Sequence, residues 1–107
     1  MANPHAGEVA LTIDGERHVL RLTLGALAEL EAAMQTGSLV ELVERFEQSG
    51  FSSRDVLSLI VAGLRGGGWQ GGADDLLAAE IEGGPVGASR AAAELLTRAF
   101  ALPGEDA

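Results

Sequence analysis

EVALTIDGERHVLRLTL, residues 8–24, is the stretch that decides the fold. Val9, Leu11 and Ile13 alternate with Ala10 and Thr12, the two-residue period of a strand with one buried face. Asp14-Gly15 follows, the pair best able to take the positive φ angles of a tight hairpin turn. On the return, Leu20, Leu22 and Leu24 share one face and Arg17, Val19, Arg21 and Thr23 the other. A two-residue turn sets Ile13 opposite Glu16, Leu11 opposite His18, Val9 opposite Leu20, and Glu8 opposite Arg21 on the wet face. A four-residue loop preserves the same faces, so the residues specify a hairpin and leave its register open. A two-stranded ribbon is marginal by itself and needs a partner for its apolar side.

The rest of the chain supplies helices. Residues 25–35 carry Leu27, Leu30, Glu31 and Met34 at helical spacing, with Gly37 as the expected stop. Ser38 then opens a second helix with Glu41 three residues on, the spacing of a capping box. Leu39, Leu42, Val43 and Phe46 form its apolar stripe, while Glu41, Glu44, Arg45, Glu47 and Gln48 are expected to face water and Gly50 to end it. Ser52 or Ser53 caps a third helix over residues 54–65, whose wide apolar face of Val56, Leu57, Ile60, Val61 and Leu64 belongs at the centre. The run GGGWQGG, residues 66–72, reads as a flexible connector. A fourth helix is expected from Asp74-Asp75 to Glu82 with Leu76, Leu77 and Ile81 inward, its acids matching the positive end of the helix dipole. Pro85 suits the first turn of a last helix, residues 86–101, that buries Ala92, Leu95, Leu96, Ala99 and Phe100. The expected class is α+β, predominantly α: an N-terminal β-hairpin packed on a bundle of about five short helices. One domain spans residues 1–107, with the hairpin at 8–24, helices at 25–101, and residues 1–7 and 103–107 flexible.

Composition narrows the chemistry. The 107 residues include 16 acids against seven bases, for a net charge of −9, and all seven bases are arginine. A chain of this length buries roughly 65% of its unfolded surface, enough for one core without metal or disulfide. The negative field repels phosphate backbones and anionic lipid, which argues against nucleic-acid and membrane partners. No cysteine is present, so disulfides, thiolate chemistry and cysteine-ligated zinc are excluded. Residues 1–7 lack the features of a signal peptide, and no apolar run reaches membrane-spanning length, so the expected location is the cytoplasm.

Reactive constellations are missing. The glycine run follows a helix and is not succeeded by the lysine of a phosphate loop. His5 and His18 have no third ligand, and His18 reads as a histidine at the edge of the core. Asp74-Asp75 lacks calcium-loop spacing. Glu29 with Glu31, and Glu41, Glu44 and Glu47, read as solvated helix faces. Ser52-Ser53 has no base placed beside it. No catalytic residue, cofactor or metal is expected. Trp69 has two readings, an indole folded over the core as a lid or an anchor for a partner on the glycine-rich loop. With Phe46, Phe51 and Phe100 it makes up the set of candidate partner-binding residues.

Three stretches taken in order carry a resemblance: the hairpin with its helix entry, EVALTIDGERHVLRLTLGALAELEAAM; the segment SGFSSRDVLSLIVAGLRGGG; and the acidic and C-terminal helices that follow. This order resembles the small tail proteins of bacterial gene transfer agents, the phage-like particles of alphaproteobacteria. The family is described as tail-assembly-chaperone-like and is sometimes labelled a tail tube protein. The resemblance runs from about Glu8 to Phe100 and carries no catalytic residue with it. It implies a part in building a tail: keeping the helix-rich tape-measure protein soluble while tube subunits polymerise around it, with the chaperone scarce or absent in the finished particle. Tape-measure protein, tube subunits and further copies of the chain are the implied partners. The alternative is a structural tube component, for which two strands are few, because tubes of the usual phage type are lined by a closed ring of β-strands. An enzyme or a DNA mimic ranks below both, since five arginines between positions 17 and 65 break up the acidic surface.

Overall fold

A computed structural model describes residues 7–33 and 38–100. Two strands, β1 (Glu8–Ile13) and β2 (Glu16–Arg21), precede five helices: α1 (Leu24–Ala33), α2 (Leu39–Glu47), α3 (Ser53–Gly66), α4 (Ala73–Leu76) and α5 (Gly84–Ala99). The expected class is therefore observed. So is the two-residue register, with Glu8 paired to Arg21, Val9 to Leu20, Leu11 to His18 and Ile13 to Glu16. Asp14 and Gly15 sit at φ 51° and 80°, the double positive φ that a right-twisted hairpin demands of its turn. The reading of residues 1–6 as a loose lead-in, and those placed on Met34, Gln35, Gly37 and residues 101–107, lie outside the described residues.

The core-facing side of the hairpin is Val9, Leu11, Ile13, Leu20 and Leu22, all buried. α3 lies across it and also meets α1, α4 and α5. Leu59, Ile60 and Leu64 are at most 1% exposed, as befits the central helix. Each such side chain contributes about 1.5–3 kcal/mol over its exposed state. From the other side α5 brings Leu95 and Leu96 with Ala88, Ala91 and Ala92, whose small size lets the helix approach closely.

The contact between α3 and β2 is made of absences. Gly63, Gly66 and Gly67 fall at i, i+3 and i+4, so they share one helical face. A Cβ on Gly66 would stand 1.9 Å from the Arg21 carbonyl oxygen, and one on Gly67 2.1 Å from that of Val19. On Gly63 it would meet Leu95 Cδ1 at 2.8 Å. The start of the glycine run, read from sequence as a connector, is thus a docking face. Gly66 belongs to the helix, and the loop proper begins after it.

Several boundaries differ from expectation for identifiable reasons. β2 stops at Arg21 and Leu24 opens α1, 84% exposed instead of facing the core. Thr23 breaks the alternation: its Oγ1 accepts from the Ala26 N–H at 3.1 Å and its carbonyl from the Leu27 N–H, which makes it a helix cap. Ser38 caps α2 as expected, accepting from the Glu41 N–H at 3.3 Å. That helix ends at Glu47, with Ser49 rather than Gly50 taking the left-handed conformation at φ 58°. The fourth helix is a single turn, and Leu77, expected inward, is 70% exposed.

Residues 80–82 then run along β1 instead of continuing that helix. Ile81 bridges Ile13, the Glu82 N–H donates to the Thr12 carbonyl at 2.9 Å, and the Asp14 N–H donates to the Glu80 carbonyl at 2.8 Å. Asp14 Oδ1 accepts from the Glu80 N–H at 2.8 Å, so the turn residue itself recruits the segment away from the helix. α5 begins at Gly84, with Pro85 in its first turn, and Phe100 follows its last residue, 44% exposed rather than buried.

Both edges of the hairpin are consequently occupied along much of their length. In this register Glu8, Thr12, Val19 and Arg21 turn their backbone groups outward. The Glu8 carbonyl accepts from the Arg98 guanidinium and that of Thr12 from Glu82, while Val19 and Arg21 face the glycines of α3.

Candidate partner-binding surface

The four aromatic candidates fall in separate places. Phe46 on α2 and Phe51 just before α3 stack with centroids 4.4 Å apart and planes 8° from parallel, both half-buried. Phe100 stands at the end of α5. Trp69 lies in the loop between α3 and α4, beside the tip of the hairpin. Among the described residues the Phe46–Phe51 stack is the one close aromatic pair.

An ion pair fastens the junction that carries the stacked phenylalanines. Arg45, expected in water, donates from Nε and Nη2 to the two carboxylate oxygens of Asp55, each at 3.0 Å. Asp55 also closes a capping box with Ser52, accepting from its N–H at 2.9 Å while its own N–H donates to Ser52 Oγ at 3.1 Å. Partial burial pushes the Asp55 carboxyl up, but Arg45 and Ser52 outweigh it, and the net shift is below the ordinary carboxylate value.

Trp69 is held by its backbone and its neighbours. Its N–H donates to the Leu64 carbonyl at 2.9 Å, so the chain turns back directly after α3. Gly71 lies against the indole so closely that a Cβ there would be 2.2 Å from Cζ2. Arg65 spans the loop, donating from Nε to Glu29 at 2.8 Å and from Nη1 to the Gly71 carbonyl at 3.0 Å. The hydrogen bond and charge of Arg65 hold the Glu29 carboxyl below its usual range. At the far end Asp75 Oδ2 accepts from the Gly72 N–H at 2.8 Å.

The indole separates two surface grooves and is the residue common to both. One, about 320 Å³, contains Thr23, Glu29, Arg65 and Gln70. The other, about 360 Å³, has Ile13 and Leu76 in its floor and Asp14, Glu16, His18 and Asp75 around them. Trp69 packs against the core and still borders open space on either side. A third groove of about 400 Å³ runs between α1 and α3 over Leu30, Ala33, Leu57, Val61 and Ala62.

Sequence reasoning did not bring Glu16, Asp14 and Asp75 to the tryptophan. The signal was the Asp-Gly turn, whose tip has to lie somewhere, but its distance from residue 69 along the chain hides the meeting. Among the described residues no group of three or more His, Cys, Asp or Glu is arranged to hold a metal, and no helix is long and apolar enough to cross a membrane.

No curated protein and no solved structure matches the chain. A family model described as "Phage tail tube protein, GTA-gp10" matches residues 6–102, nearly the whole sequence, and that family is structural in character. The chain belongs to this gene transfer agent tail protein family, and its role is that of a tail protein.

Proposed function

We propose that the chain is a non-enzymatic tail-assembly chaperone that binds the tape-measure protein in the cytoplasm of the producing cell while the tube grows around it. The observation that carries this reading is the strand inventory. A tube wall of the usual phage type needs several strands from every subunit, whereas the described residues hold a two-stranded hairpin and one bridge in an otherwise helical fold. The occupied backbone at Glu8, Thr12, Val19 and Arg21 further restricts strand addition.

A client of amphipathic helices needs apolar grooves and a carrier that stays dispersed. The α1–α3 groove and the half-exposed Phe46, Phe51, Trp69 and Phe100 supply the first, and the net charge of −9 the second. In this reading residues 1–107 act as one domain without a cofactor. The family description favours the second reading, a structural component of the tail tube that associates with its own copies.

Co-expression with the tape-measure protein of the same particle tests the proposal. The expected result is a soluble complex, together with scarcity of the chain in purified particles. No complex and no gain in tape-measure solubility, or abundance in the finished tail at tube stoichiometry, would reverse the order of the two readings.

A further inference from the structure

The groove between Trp69 and the hairpin tip has a composition that selects its occupant. Three acidic residues, Asp14, Glu16 and Asp75, line it together with His18 and the Trp69 indole. Arg65 lines the groove on the opposite side of the indole, its guanidinium engaged by Glu29 and the Gly71 carbonyl. Arg17, the strand neighbour of both Glu16 and His18, points to the other face of the ribbon. Two of the carboxylates also brace the walls, since Asp14 holds the Glu80 N–H and Asp75 the Gly72 N–H. Glu16 is exposed at the entrance.

An aromatic ring beside acidic side chains is the composition that attracts a guanidinium or ammonium, through the ring quadrupole and charge-assisted hydrogen bonds together. The apolar floor of the groove suits the aliphatic stem of such a side chain. We propose that this groove receives an arginine or lysine side chain from a protein partner with a basic surface. A second copy of the chain is a poor occupant, because two molecules each at −9 repel. The inference rests on the partner-binding part of the function proposed above and names the chemistry of the contact at Trp69.

Trp69 is the only tryptophan, so its fluorescence reports on the groove without labelling. The probe is a capped tetra-arginine peptide titrated into the full chain, with its tetra-citrulline counterpart as the uncharged control. The arginine peptide should give a saturable spectral change and the citrulline peptide none. Glu16→Lys should weaken binding about tenfold, by loss of one rim charge and gain of another, while Glu44→Lys on α2, with the same change in net charge, should alter it less than about twofold. Circular dichroism confirms that both variants remain folded.

Equal weakening by the two variants would reduce the effect to the field of the whole molecule and overturn the assignment, as would equal binding of the citrulline peptide or no saturation at millimolar peptide. Dimers in sedimentation that Glu16→Lys abolishes would give the groove to a second copy and overturn it too. The tape-measure protein does not enter this experiment, so its failure would leave the tape-measure reading standing, and failure of the co-expression test would leave the groove intact.

Discussion

Gly67 shows how a single missing side chain can hold two elements together. Its backbone sits against the Val19 carbonyl, and a methyl placed 2.1 Å from that oxygen has no flexible neighbour to displace. Gly67→Ala should therefore separate the end of α3 from β2 and cost about 1–3 kcal/mol, the usual range for overpacking. Gly72 is the matched comparison, in the same run but extended at φ −135° with nothing within 4 Å of a Cβ. Gly72→Ala should stay within about 0.5 kcal/mol of the parent. Thermal melts of the two variants test the pair, and equal losses would remove the docking role from Gly67. The sequence presents both residues as the same punctuation in GGGWQGG. Only the path of β2 distinguishes them, because a glycine's purpose depends on what passes beside it.

At the scale of the element, the α2–α3 junction depends on one carboxylate. Asp55 is held below its ordinary value, so the folded chain takes up its proton less readily than the unfolded chain. Its contribution is fully present above the unfolded value, about pH 4, and is lost as pH falls through the lower folded value. Asp55→Asn should remove about 1–2 kcal/mol at neutral pH, through the cap and the bidentate pair, and make stability less steep in pH below about 4. Denaturation midpoints between neutral and acid pH would show it, and parallel curves for parent and variant would rule it out.

The caps at Ser38 and Ser52 and the turn at Asp14-Gly15 were legible because each is a local signature of a few adjacent residues. The fate of residues 77–82 was not. Helical spacing of Leu76, Leu77 and Ile81 was a fair reading of that segment alone, but Asp14, more than sixty residues earlier, offers its backbone and side chain as competing partners. Arg45 illustrates the same limit: its place on the polar side of α2 is correct, yet its partner lies on the next helix. The stacked pair was nameable as two phenylalanines and not as a contact, since the turn that joins them is set by Ser49.

Across the whole molecule, stability should be graded outward from α3. That helix meets β2, α1, α4 and α5, and carries several of the least exposed side chains. α2 is attached through Leu42, the Arg45–Asp55 pair and the Phe46–Phe51 stack. Native-state hydrogen exchange should find the slowest amides around Leu59, Ile60 and Leu64, and α2 should open first among the longer helices. Uniform protection of α2 and α3 would contradict that order.

The stitched rims of the ribbon also decide how neighbours can be joined. A molecule whose strand backbone is hydrogen-bonded at Glu8 and Thr12 and covered by α3 at Val19 and Arg21 must be gripped by its side chains there, not woven into another sheet. Woven assemblies are hard to unpick, whereas side-chain grips let go one at a time, so contacts made along this ribbon are of the releasable kind.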